Sequence, residues 1–157
     1  VTAFSMAMTT YISQNMGAQK YERVRKGMHF GFAVSLTMIE IMGVLFFLFA
    51  PQIVGLFNRD PDVIVYGAGR ARVTGFFYFL VGYSHIASVV LRGLGKPMVP
   101  MAVMLFCWCA VRVTILFTIG LVWHNILLAY WVYPLTWTLS SIAFFFYLRH
   151  QEKIAQS

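Results

Sequence analysis

Three ionisable residues of this 157-residue chain stand inside long apolar runs: Glu40, His85 and Arg112. In a bilayer core each costs a few kcal/mol or more unless it is paired or hydrated, so such residues mark ion paths, substrate paths or internal pairs. Glu40 lies twelve positions past Met28 and Arg112 fourteen past Met98, which at 1.5 Å per residue sets both roughly 18 to 21 Å from the starts of their runs. On two helices running the same way they can pair. Such a pair either satisfies two buried charges or leaves Glu40 a role in ion coupling. A histidine has an unperturbed pKa of about 6.5, so His85 either carries a proton or stands neutral, bonded to a carbonyl or hydroxyl.

A second set of residues suits an organic cation. Tyr130, Pro134, Trp137 and Ser141 recur at helical spacing, and Pro134 removes a backbone donor and frees a carbonyl toward that face. Tyr and Trp faces attract cations by about 0.5 to 2 kcal/mol each. The same stripe also fits lipid contact and packing, as do the nine methionines. Ser5, Thr9 and Ser13, spaced i, i+4, i+8, line one helix face with hydroxyls, either for close packing with backbone bonds or as the wall of a polar cavity. Cys107 and Cys109 point to nearly opposite sides of a helix and are expected to be free apolar thiols, with no metal between them. Hydrolase, metalloprotease and nucleotide-binding motifs are missing from the sequence, and Ser84–His85 has no acid nearby in its run, so an enzyme is not expected.

The elements that position these residues follow from composition. Sixty per cent of the residues are hydrophobic and 11% charged, against about 25% charged in soluble domains. The apolar segments are Val1 to Met16, Met28 to Ala50, Val63 to Leu91, Met98 to Val122 and Ile126 to Leu148. The last four are long enough to cross a hydrocarbon core of about 30 Å, and no period-2 alternation interrupts them. The expected fold is all-α, a polytopic transmembrane helical bundle in the lipid bilayer. Gly17, Pro51, Pro61, Gly93, Gly95 and Pro97 supply the breaks. The first segment is short for a span and reads as the tail of a helix that begins upstream, so the chain is expected to be a fragment.

Twelve Lys and Arg stand against five acids. They sit in short gaps, without the clustered face that nucleic acid requires, and no nucleic-acid partner is expected. Lys20, Arg23, Arg25, Lys26, Arg92, Lys96, Arg149 and Lys153 fall in alternate gaps on one side, which is therefore the inner face; Arg59, Arg70 and Arg72 lie toward the other.

The inner loop "SQNMGAQKYERVRKG" resembles that of multidrug and toxic compound extrusion (MATE) transporters through Gln14, Asn15, Gly17, Ala18, Glu22 and Arg23. The likeness continues through "PQIVGLFNRDPDVI", "GRARVTGFFYFLVG", "LRGLGKPMVPM", "VRV" and "YPLTW". It implies the end of an eighth helix plus helices nine to twelve, a partial C-terminal lobe and about half of a twelve-helix, two-lobe transporter. It also implies a secondary antiporter of the cell membrane, placed in the bacterial inner membrane, that exports organic, often cationic, compounds against H+ or Na+. The partner would be the missing N-terminal lobe, no cofactor beyond the coupling ion is implied, and half a cleft is expected to be inactive alone. Arg112 coincides with an arginine of the family's eleventh helix. His85 falls in the tenth, where some members place an acidic cation ligand that this chain lacks. A lipid-linked sugar flippase of the same superfamily, or a small structural subunit of a membrane complex, is the alternative.

Overall fold

The computed structural model describes residues 2–57, 59–122 and 126–156, with side chains described at 3–57, 59–119 and 130–151. Every regular element among them is helical: α1 (Thr2–Gly17), α2 (Tyr21–Leu48), α3 (Ala50–Phe57), α4 (Pro61–Phe76), α5 (Tyr78–Gly93), α6 (Met98–Met104), a π-helical segment (Leu105–Val111), α7 (Arg112–Val122) and α8 (Ile126–Gln156). Among the described residues two helices are long and apolar enough to cross a membrane, Tyr21–Leu48 and Met98–Ile119, and α4 with α5 makes a third if that bent pair is one span. The fourth expected span, Ile126 to Leu148, lies in α8, whose first side chains fall outside the described residues. So do Val1, at which the first segment was expected to begin, and the side chain of Lys153.

Several stops differ from those the sequence suggests. Gly17 is the last residue of α1, and the left-handed residue is Gln19, at φ 56°. The amide of Gln19 donates to Met16 O (3.0 Å) and that of Lys20 to Asn15 O (2.9 Å), the paired bonds of a Schellman cap. The same motif closes α5, with Gly95 at φ 77° and the amide of Lys96 donating to Leu91 O. α2 begins at Tyr21, ahead of the expected Met28, because the charged run is itself helical and Lys26 pairs with Glu22 one turn back, at 2.7 Å. Pro51 sits in the first turn of α3, where its missing N–H is no loss. Asp60 caps α4 by accepting from the amide of Asp62 at 3.0 Å.

The run expected as one helix from Val63 to Leu91 bends by 52° at Phe77. Just before the bend, α4 crosses α2 backbone against backbone. A Cβ at Gly43 would come within 2.6 Å of Gly75 O, and one at Gly75 within 2.8 Å of Gly43 O. Small residues at such crossings are how membrane helices gain packing without a hydrophobic drive.

Beyond the bend α5 becomes the centre of the bundle, packed by α1, α2, α6 and α8. Ile86, Ala87, Val89, Val90 and Leu91 are buried there with Met8 and Ile12 of α1, Met28 of α2, and Phe144 and Leu148 of α8. Two hydroxyls of the row on α1 bond to its own backbone: Thr9 donates to Ser5 O and Ser13 to Thr10 O, both at 3.0 Å.

Two outcomes follow for the intact protein. Gly43→Ala should cost about 1 to 3 kcal/mol by forcing the α2–α4 crossing apart, whereas Gln19→Gly should add about 1 kcal/mol by relieving its left-handed backbone. Thermal unfolding in detergent reads both, and an unchanged midpoint for Gly43→Ala would contradict the close crossing.

Candidate functional site

α8 turns three hydroxyls, Thr136, Ser140 and Ser141, into the bundle, and all are buried. A buried hydroxyl in an apolar medium needs a partner. Ser84 of α5 supplies it for two of them, with its Oγ 3.0 Å from Ser140 Oγ and 3.1 Å from Ser141 Oγ. Ser141 Oγ also lies 3.1 Å from Leu80 O and Ser140 Oγ 3.0 Å from Trp137 O, so three hydroxyl protons are shared among four contacts. From the π-helical segment Trp108 Nε1 donates to Ser140 Oγ at 3.1 Å. Arg112, where the helix returns to α geometry, donates to Thr136 Oγ1 through Nε (3.2 Å) and Nη2 (2.7 Å). No buried side-chain nitrogen or oxygen among the described residues lacks a partner.

A second cation approaches this network. The guanidinium carbons of Arg70 and Arg112 each lie 4.7 Å from the centroid of the Tyr133 ring, and Arg112 also lies 5.6 Å from that of Trp108. Two guanidiniums sharing one ring make this corner electropositive.

The expected pairing of Glu40 with Arg112 does not form. Arg112 bonds to Thr136, and among the described residues the one ion pair is Lys26–Glu22. Equal depth along two helices does not bring them together, because α2 and α7 are not packed against each other. Instead Glu40 lines a cleft of about 1160 Å³ between α2, α5 and α8, and it is the one charged residue among those described there. The rest of the wall is chiefly apolar, including Ile41, Phe79, Phe145 and Phe146, with Thr37, Tyr83, Thr138 and Ser141 as the polar points. His85 is exposed and sets its ring edge-on to Trp108, centroids 5.7 Å apart.

The stripe Tyr130, Pro134, Trp137 and Ser141 is buried rather than open. Tyr130 Oη donates to Tyr66 O at 2.9 Å, and Trp137 packs on Tyr78 and Tyr133. Of the four only Ser141 reaches the cleft, and it joins the cleft to the hydroxyl network. Around the turn between α1 and α2 Asn15 Nδ2 donates to Tyr11 O (2.8 Å) and the amide of Ala18 to Gln14 O (3.0 Å), while Glu22 holds Lys26 and Arg23 is exposed. Cys107 is buried and Cys109 exposed, as their spacing predicts, and both are free.

Sequence reading passed over Ser84, Ser140 and Trp108 as partners. A serine pair inside an apolar run was the available signal, but its partner lies 56 residues away. The π turn had no signal of its own. Thr136→Val removes the acceptor of both Arg112 bonds and should destabilise the intact protein by about 2 kcal/mol. Thr136→Ser should restore most of that, read by thermal unfolding in detergent; equal loss in both variants would point to packing instead.

Residues 1–118 match the MatE family model. The chain is 22% identical over 146 residues to the probable multidrug resistance protein YoeA of Bacillus subtilis, covering 92% of this chain and 32% of that protein. It is 25% identical over 128 residues to the probable multidrug resistance protein NorM of Thermotoga maritima, covering 82% and 28%. To the multidrug resistance protein PmpM of Pseudomonas aeruginosa it is 26% identical over 119 residues, covering 76% and 25%. The chain thus spans about a third or less of the length of these relatives. Its apolar helices make it an integral membrane protein, and because the family model covers residues 1–118 of the 157, the chain belongs to the MatE family.

Proposed function

We propose that the chain is part of a secondary multidrug exporter of the bacterial inner membrane, one that carries amphipathic organic cations outward in exchange for an inorganic cation. The observation that carries this reading is the cleft: a large, mostly apolar wall with Glu40 as its one described charge. An apolar body with a positive charge gains from both features, since the wall shields its carbon surface and the carboxylate supplies the counter-charge. The aromatic rings of Phe79, Tyr83 and Phe145 add cation–π attraction.

Exchange follows from competition for one group. A carboxylate that holds the organic cation cannot hold a proton, and once it is protonated it has no charge to hold the cation. A hard cation such as sodium needs several oxygen ligands at once. Among its described lining residues the cleft holds no second carboxylate beside Glu40, and a lone carboxylate suits a proton better than sodium. The electropositive corner around Arg70, Arg112 and Tyr133 repels a cationic substrate and serves to hold α4, α7 and α8 together. The opposite wall belongs to an N-terminal lobe, as the two-repeat logic of secondary transporters requires, and these residues alone do not transport.

In the intact transporter reconstituted into liposomes, Glu40→Gln should weaken binding of a fluorescent organic cation about tenfold or more. It should also abolish efflux driven by a pH gradient, whereas His85→Gln should retain both. Undiminished proton-driven efflux in Glu40→Gln would remove Glu40 from coupling, and loss of pH dependence in His85→Gln alone would transfer that role to the histidine.

A further inference from the structure

At the opposite end of α5 from its bend, a second cavity of about 940 Å³ opens where three inner-face gaps meet. Arg25, Lys26 and His29 come from the start of α2, Lys96 from the turn after α5, and Gln151 from the end of α8. Met16, Leu94 and Leu148 line the apolar side, together with Val24 and Met28 of the buried core. We infer that this cavity is a binding site for one anionic phospholipid of the inner leaflet.

Charge complementarity is the first argument. Glu22 also lines the cavity, but its carboxylate is taken by Lys26 at 2.7 Å. Arg25 and Lys96 have no ion-pair partner among the described residues. Lys96 is half-buried and its ammonium donates to the neutral amide oxygen of Gln151. A half-buried ammonium is costly unless an anion neutralises it, and a headgroup phosphate is the anion available at that depth.

The wall distinguishes a lipid from a free anion. Inorganic phosphate would use the basic rim and leave a cavity of 940 Å³ largely unfilled, with nothing to gain from methionine and leucine. A phospholipid covers both surfaces, setting its phosphate between Arg25 and Lys96 and the top of an acyl chain along Met16 and Leu94. The placement also matches the inner-face excess of Lys and Arg, where juxtamembrane basic residues draw anionic lipid by electrostatics.

The test uses the intact transporter, delipidated in detergent and titrated with dioleoylphosphatidylglycerol or dioleoylphosphatidylcholine under native mass spectrometry. One saturable phosphatidylglycerol adduct is expected, with phosphatidylcholine binding weaker. Arg25→Gln and Lys96→Gln should each lower affinity about fivefold, and the double variant about thirtyfold. Arg72→Gln, an exposed arginine toward the other face, should leave it unchanged, and Arg25→Lys should retain binding. Thermal unfolding in phosphatidylcholine checks that each variant is folded, and the single variants decide the matter if the double one is not. Equal affinity for the two lipids would overturn the proposal, as would wild-type affinity in folded Lys96→Gln. Displacement of the lipid by millimolar inorganic phosphate would assign the site to a free anion. Absence of any adduct would mean that another part of the transporter fills the cavity.

Discussion

In hydrocarbon no water competes for a polar group, so each donor or acceptor that a span carries must find its partner on the protein. That constraint organises the middle of this bundle. Ser84, Ser140 and Ser141 satisfy one another across α5 and α8, and Trp108 and Arg112 bring the π-helical segment and α7 to the same face of α8. The hydroxyls are short and their reach is small, so three helices are held at bonding distance. Apolar packing alone would leave their rotation less defined, since lipid tails compete with leucine on equal terms.

Backbone irregularities let the same helices meet these demands. The π turn from Leu105 to Val111 widens the helix locally, a feature often found at functional sites, and both Trp108 and Arg112 then address α8. The bend at Phe77 lets α4 cross α2 closely at Gly43 and Gly75 while α5 turns inward to be surrounded. Pro134 interrupts the bonding of α8 one turn before Thr138, whose hydroxyl donates to Pro134 O at 2.8 Å. The π turn and Pro134 thus sit beside polar contacts, and the Phe77 bend beside a close backbone crossing.

Electrostatic character is divided along the molecule. The Glu40 cleft is apolar with a single described negative charge, the Tyr133 corner carries two guanidiniums, and the cavity at the far end of α5 is basic. By charge alone the first attracts a cation, the second repels one and the third attracts an anion. Ser141 lines the first region and bonds to Ser84, so a change at the cleft wall has a short bonded route into the serine cluster between α5 and α8.

Apolar run length and composition by themselves determined the all-helical, membrane-embedded class, since roughly 20 residues of low polarity have no other stable form in a bilayer. The loop "SQNMGAQKYERVRKG" and its basic side were likewise legible, because charge asymmetry is a local property of the chain. Positional depth was legible too, yet it misled for Glu40 and Arg112: depth specifies height along a helix and leaves rotation and neighbours open. Only the tertiary structure decided that Arg112 meets Thr136, that Tyr130 and Trp137 turn inward, and that Glu40 faces a cleft. Those outcomes depend on which helices touch, and that is set by glycine crossings and hydroxyl contacts between residues far apart in sequence. The left-handed Gln19 shows the same limit at short range: glycine at position 17 was the better local candidate, and the closing bonds to Met16 and Asn15 chose another residue.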